Sequence, residues 1–472
     1  MPQEQSTHAE QHVVIIGAGI TGLSCAHALL TTAPHLRVTL LESQPTTGGV
    51  IHTSPFAGLP HVDEAADAFL LRVPFAAQLA QDVGLSNQLT SPESGHASVW
   101  RNGLHRLPNG LLLGVPTQLS ALATSRLISP VGKLRAAFDL ALPRTPVASD
   151  SIGAYMRRRF GNEVHNMLID PLVGSIYAAD TDNFSLEMVP QLHTLASSGR
   201  SVLLTARRTP KPAANVAASP IFGAPLNGMG ALVTATQHAV ETLGATIRLN
   251  SHVASIEPVS QEGKHSVHFL ANGISETLMA NHVVVCSPAK HSTGFFAESA
   301  PQVSQLLAQS EHASVVMVAL AVPKASLPQK ASGSGYLVPK PEQRFITAVS
   351  FASQKWAHLN TTDSAILRVS LGRDAMPLHE HADEELTSFV LADIKRHLLV
   401  DLEPTAIRIT RWKESFPQYR PHHAAHVEHL ERHLSEKMPR VYLAGASFRG
   451  IGVPSCIQQG AAVAQKIISS IS

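Results

Sequence analysis

The residues of this chain whose types and spacing most directly imply chemistry are three glycines and an acid. They stand as Gly17-Ala18-Gly19-Ile20-Thr21-Gly22, with Glu42 20 residues after the last glycine. In such a pattern the first glycine permits a tight turn, the second lets the backbone approach a pyrophosphate, and the third lets a helix pack closely on a strand. A helix that begins there offers free N–H groups and the positive end of its dipole to phosphates. The acid can accept hydrogen bonds from ribose hydroxyls. The flanking residues supply the elements that must hold this geometry. Val13-Val14-Ile15-Ile16 is a β-branched run suited to a buried parallel strand. Leu23, Ala26, Leu29 and Leu30 follow at helical spacing, and Val38-Thr39-Leu40-Leu41 reads as a second strand ending at Glu42. The whole is a βαβ unit built for a dinucleotide.

Composition narrows the class. The 472 residues carry 36 Lys plus Arg and 35 Asp plus Glu, a net charge of +1, which argues against a dedicated nucleic-acid binder and an acidic disordered chain. Charged residues make up 15%, well below the roughly 25% of ordinary soluble domains. Cys25, Cys286 and Cys456 are too scattered for a disulfide framework or a zinc motif, and a reducing cytoplasm is the simplest setting. Residues 1–12 are polar and do not read as a signal peptide, and no apolar run reaches the roughly 18 residues of a spanning helix. Peripheral contact with the inner face of a membrane stays open.

Further along, Val283-Val284-Val285-Cys286 and Val441-Tyr442-Leu443-Ala444 read as buried strands, and a helix is expected over about 457–471. Residues 245–250 and 252–256 alternate as a strand pair. One dinucleotide-binding sheet therefore draws its strands from the start, middle and end of the chain. The expected class is α/β (α+β overall), a Rossmann-like domain interrupted by a mixed-sheet and helical substrate region. Residues 1–81, 226–300 and 413–472 form the first, 82–225 are mostly helical, and 301–412 are strand-rich. The sheet strands are expected at 315–322, 365–371 and 407–412, and a helix near 384–399. The Ala-, Pro- and Ser-rich stretch 209–225 reads as a loop. His422, His423, His426, His429 and His433 fall at helical spacings, and a solvated polar face is the expectation rather than a metal site.

The run from Glu42 through Ser43 to Gly48-Gly49-Val50-Ile51-His52-Thr53 resembles the extended signature of amine-oxidase-like flavoproteins, which implies FAD. Three further stretches are similar to the protoporphyrinogen/coproporphyrinogen oxidase family in its Gram-positive form. The first, 62–72, includes Ala65, Ala66, Asp67 and Ala68. The second, 158–186, contains Asp170-Pro171-Leu172-Val173-Gly174-Ser175-Ile176-Tyr177. The third pairs Trp412-Lys413-Glu414-Ser415-Phe416-Pro417-Gln418-Tyr419 with 444–457, which includes Gly450-Ile451-Gly452-Val453-Pro454. The family usually has Gly, often Gly-Pro, where this chain has Ala65-Ala66, and Gly at Ser175 and Ala179, a second basic residue at Val73 and Asp at Ser455.

The resemblance implies FAD contacts at Gly17 to Gly22, Glu42, Ser43, Gly49 and Val50. It adds Ala65 to Ala68, Trp412, Ile451, Gly452 and Val453 near the flavin, and Val253 at the adenine end. Arg72 and Tyr177 are implied on the substrate side, with no catalytic base and no metal assigned. The implied reaction aromatises a porphyrinogen by removing six electrons in three two-electron steps, with FAD accepting hydride and molecular oxygen returning as hydrogen peroxide. Coproporphyrinogen III is the implied substrate, with protoporphyrinogen IX the alternative, and ferrochelatase is a candidate transient partner. A flavin amine oxidase would need an aromatic cage by the flavin, which Ser447-Phe448-Arg449 does not supply. A non-catalytic FAD-fold binding protein would carry a degraded fingerprint, and this one is intact. Four propionates call for several rim cations, and the helical region offers Arg101, Arg106, Arg126, Lys133 and Arg135.

Overall fold

The computed structural model describes residues 11–93, 96–208, 220–259 and 263–471. Strand His12–Ile16 (β1) is buried along its whole length, and helix Ile20–Thr32 (α1) carries the chain over to strand Arg37–Leu41 (β2). β2 runs parallel to β1, with Val13 opposite Val38. On the other side of β1 lies His282–Val285, and beyond it Val441–Leu443; Thr246–Arg248 lines the outer edge of β2. Every pair is parallel, so five strands far apart in sequence make one sheet. Such a sheet is covered on both faces, which is why these strands are β-branched runs. Val13, Ile15, Val38 and Leu40 face a core shared with Leu23 of α1 and with Ile457 of the last helix, Val453–Ile471. Val14, Ile16, Val283 and Val285 face the opposite core, with Phe269, Phe296 and Leu430.

Two local expectations differ. Residues 246–248 and 251–259 do not pair with each other. Thr246–Arg248 joins β2 in the parallel sheet, whereas Ser251–Val259 starts an antiparallel meander with Lys264–Ala271 and Ile274–Ala280. Asn250, at φ +51°, turns the chain between them, so alternation continues while the sheet changes. Within 209–225, Phe222–Pro225 is a strand rather than loop, paired with Phe69–Leu70 and Leu89–Thr90; residues 209–219 lie outside the described residues.

A second sheet has seven strands in the order Ala406–Gln418, Glu311–Pro323, Ser364–Leu371, Ile346–Phe351, Gly335–Leu337, Ser98–Trp100, Leu104–Arg106. Its small residues Ala319 and Ala321 face the core under the parallel sheet, while Val316, Val318 and Leu320 pack beneath helix Asp383–Leu398. The last two strands come from the mostly helical stretch 82–225, and Ala406–Gln418 runs unbroken through residues 412 and 413. The helices of that stretch surround their own core of Tyr155, Met156, Phe160, Leu168 and Leu192. A fully buried ion pair, Arg159 Nε to Asp139 Oδ1 at 2.5 Å, ties this region together. Asp139 also accepts from Ser201 Oγ at 2.6 Å and the Leu203 N–H at 2.9 Å, and Arg159 donates to the carbonyls of Pro143 and Asp139.

Candidate cofactor and substrate site

The turn between β1 and α1 is the core of the site. Gly17 adopts φ +99° and donates from its N–H to the Leu41 carbonyl at 2.8 Å. A Cβ at Gly22 would sit 2.0 Å from the Gly17 carbonyl oxygen and 3.2 Å from Ile15, so the helix can pack this closely only without a side chain there. Gly19 differs. It has ordinary extended backbone, and a Cβ on it would meet no protein atom closer than Gly48 O at 4.0 Å. Its missing side chain therefore serves approach by something other than the protein. No side chain caps α1, and its first turn holds no acid, so its N–H groups and dipole face outward unopposed.

Glu42 is buried at the end of β2. Its Oε2 accepts from the Ala18 N–H at 2.7 Å, and its Oε1 accepts from the Gln44 N–H at 2.9 Å and from Ser43 Oγ at 3.3 Å. A carboxylate has about four lone-pair sites, so capacity for a hydroxyl remains. Gly48 donates to the Ala18 carbonyl at 2.9 Å and pairs with Gly19, which lays the Gly48-Gly49-Val50 backbone beside the turn. The Ser251 N–H donates to the Glu42 carbonyl at 2.8 Å, so the strand carrying Val253 starts at the acid.

The C-terminal turn closes the cradle. Gly445 (φ +127°) approaches the Cys286 carbonyl and Thr21, and Gly460 of the last helix sits on the backbone of α1. The Cys456 thiol, pushed up to about 11 by burial with Thr21 beside it, donates to the Gly450 and Ile451 carbonyls at 3.6 and 3.8 Å. Thus Ile451, Gly452 and Val453 open the last helix next to the first turn of α1. Burial also pushes Cys25 up to about 12, and Cys286 well up with Cys25 and Cys456 nearby. Three cysteines remote in sequence are therefore neighbours, Cys25 and Cys456 buried and Cys286 half-buried, whose raised thiols are unsuited to nucleophilic chemistry.

The strap 64–67 is fixed from the seven-stranded sheet. Trp412 Nε1 donates to the Glu64 carbonyl at 3.0 Å, and Arg368 donates to the Ala65 carbonyl. Asp67 pairs with Lys355 at 2.8 Å and Arg368 at 3.0 Å, and accepts from Trp356 Nε1 at 3.2 Å. Burial pushes the Asp67 carboxyl up, but Lys355 and Arg368 together hold it well below the usual carboxylate range. Neither Ala65 nor Ala66 has positive φ, so alanine there costs no backbone strain. Arg368, Lys355 and Trp356 went unremarked in the sequence. The available signal was a lone arginine in the apolar run Ile366-Leu367-Arg368-Val369.

The two substrate-side candidates separate. Tyr177 ends helix Asp170–Tyr177, packs against Phe184 at 4.8 Å and Tyr419 at 6.4 Å, and its phenol is pushed up to about 12 by burial. Its carbonyl accepts from Gln418 at 3.1 Å, and Tyr419 donates to the Ala446 carbonyl, which links it to the C-terminal turn. Arg72 is exposed after Phe69–Leu70 and makes no described contact with the other site residues. Of the histidines, His423 is not on a solvated face. Its Nε2 lies 3.0 Å from the Phe448 carbonyl, and burial lowers it to about 4, while His429 is exposed and His433 half-buried. Among the described residues no group of three or more His, Cys, Asp or Glu could hold a metal.

This cradle has the form of a dinucleotide site, and residues 20–468 match the flavin containing amine oxidoreductases. The chain belongs to that family. Its cofactor is accordingly a flavin. The chain is 33% identical over 464 residues to coproporphyrinogen III oxidase of Bacillus subtilis (strain 168), covering 96% of this chain and 97% of that protein. It is 25% identical to protoporphyrinogen oxidase 2, chloroplastic/mitochondrial, of Arabidopsis thaliana, covering 97% and 94%. The crystal structure of a protein described as protoporphyrinogen oxidase from Exiguobacterium sp. 255-15 superposes with a TM-score of 0.84 at 26% identity, covering 98% of this chain and 99% of that one. Among the described residues no helix is long and apolar enough to cross a membrane.

Proposed function

We propose that this chain is an FAD-dependent coproporphyrinogen III oxidase that uses molecular oxygen. The observation that carries the reading is end-to-end similarity to coproporphyrinogen III oxidases, at 28–33% identity, in a chain whose dinucleotide cradle is intact. The plant protoporphyrinogen oxidase is more distant. Glu42, set beside the open face of Gly19, favours a ribose and pyrophosphate, and so FAD over a bare flavin. Bound there, FAD supplies a hydride acceptor that is reoxidised by oxygen.

The chain's own residues bind and orient. Gly17, Ala18, Gly19 and the first turn of α1 hold the pyrophosphate, Glu42 and Ser43 the ribose, and the strand of Val253 the adenine. Gly49, Val50, Ala65, Ala66, Trp412, Ile451, Gly452 and Val453 surround the ring, with Asp67 locking the strap and Ala68 continuing it. The start of the last helix offsets negative charge on the ring through its dipole. Residues 1–81, 226–300 and 413–472 bind the cofactor, and 82–225 with 301–412 enclose the macrocycle; Tyr177 stands on that side, and Arg72 acts as an outer cation. Transfer of product to a ferrochelatase and contact with a membrane surface belong to the same proposal.

The test compares fluorescent porphyrin formation from coproporphyrinogen III and protoporphyrinogen IX under oxygen, using purified yellow protein. Faster turnover of coproporphyrinogen III is expected. A clear preference for protoporphyrinogen IX would reverse the substrate, and a chain that cannot be loaded with FAD would remove the reading altogether.

A further inference from the structure

The helical region's five candidate rim cations meet different fates. Arg101 is spent on Glu163 at 2.8 Å and on the Leu127 carbonyl. Lys133 donates to the Ala123 carbonyl at 2.8 Å, and Arg135 donates to the carbonyls of residues 157–159. Arg106 and Arg126 are exposed, have no described partner, and line the same open cleft of about 650 Å³. The rest of that cleft combines an apolar wall, Leu104, Leu107 and Pro108, with amide and hydroxyl groups such as Gln118 and Thr124. Its size lies within the range of small-molecule sites. Two free guanidiniums beside an apolar wall select a ligand with an apolar body and at least two carboxylates, because each guanidinium can grip a carboxylate through two parallel N–H bonds.

The cleft is remote from the flavin cradle. Trp412 stands on one edge strand of the seven-stranded sheet, and Arg106 on the opposite edge strand, six strand intervals away. At about 4.8 Å per interval this is roughly 29 Å along the sheet, so the cleft and Trp412 lie at opposite edges of it.

We infer that this cleft is a second tetrapyrrole site, which holds the carboxylate-bearing porphyrin product away from the flavin. The choice of a porphyrin as the apolar body rests on the function proposed above; the dicarboxylate selectivity does not. No bond is made or broken there.

The test is titration of the FAD-loaded protein with coproporphyrin III, followed by porphyrin fluorescence. Two binding events per chain are expected. Arg106→Ala/Arg126→Ala should weaken one of them by about 100-fold, with flavin content and melting temperature unchanged. Thr124→Trp, which fills the cleft without touching its charge, should remove the same event, and Arg106→Lys/Arg126→Lys should restore part of it. Equal stoichiometry and affinity in wild type and both cleft variants would overturn the inference. If porphyrinogen oxidation fails while the cleft variants still lose binding, the proposed function falls and the site stands.

Discussion

Gly22→Ala and Gly19→Ala make a discriminating pair, because one glycine is required by the protein and the other by its ligand. At Gly22 the added methyl would lie 2.0 Å from the Gly17 carbonyl oxygen. A comfortable carbon–oxygen contact is about 3.3 Å, so α1 and the turn must separate by at least about 1.3 Å. Overpacking of this kind costs about 1–3 kcal/mol of stability. The same movement carries the N–H groups of α1 beyond hydrogen-bond reach of a pyrophosphate held by the rest of the cradle. Loss of one bond to a charged group is about 1.5–3 kcal/mol, or roughly 10–150-fold in FAD Kd. At Gly19 the methyl meets nothing closer than 4.0 Å and the backbone is ordinary, so the fold is untouched while the methyl stands in the path of the ligand. Thermal unfolding of the apoprotein and FAD titration by flavin fluorescence separate the two effects. Gly22→Ala should lower both stability and affinity, and Gly19→Ala affinity alone. Wild-type FAD affinity in Gly19→Ala, or an unchanged melting temperature in Gly22→Ala, would refute the reasoning for that glycine.

Three other outcomes are expected. Asp139→Asn strands Arg159 in a region where both side chains are fully buried, and should cost about 3–5 kcal/mol in denaturant unfolding; a loss below about 1 kcal/mol would show that the pair does not hold the helices. Asp67→Asn leaves Lys355 and Arg368 facing a neutral amide, so the strap 64–67 should loosen, flavin absorbance shift and FAD bind about 10-fold more weakly. His282 is buried with neither ring nitrogen paired, and burial, with Arg440 and His265 nearby, lowers it from 6.5 to about 4. Its neutral form is the native one, so stability is full above about pH 6.5 and falls as pH drops towards 4, by up to about 3 kcal/mol, because the unfolded chain takes up the proton first. His282→Phe should flatten that slope and raise the melting temperature, as measured by unfolding between pH 4 and 7.5.

Local sequence carried the cofactor half of the site. The turn Gly17 to Gly22, its flanking strands and Glu42 are contiguous, and backbone sterics, β-branching and helix polarity act within a few residues. They needed no partner to be read. Four of the five strands were legible for the same reason, since each is an apolar run of its own; the fifth, Thr246–Arg248, is not, and was expected to pair elsewhere. Where legibility failed, the deciding contact was remote. Residues 246–259 alternate uniformly, yet one strand chose β2 and the other a meander, because the turn at Asn250 sent them to different sheets.

Tertiary structure alone decided which charges are free and which cysteines meet. Lys355 reaches Asp67 across 288 residues and Arg368 from farther still, and an ion pair leaves no periodic trace in either segment. Arg101, Lys133 and Arg135 look no different in sequence from Arg106 and Arg126, but backbone carbonyls and Glu163 consume the first three and leave the last two facing one cleft. The sequence by itself thus determined the strand–turn–helix geometry of a dinucleotide cradle, because those constraints are local. Tertiary structure decided what packs around that cradle and where uncommitted charge remains, because pairing and burial are settled only when distant segments compete for the same partners.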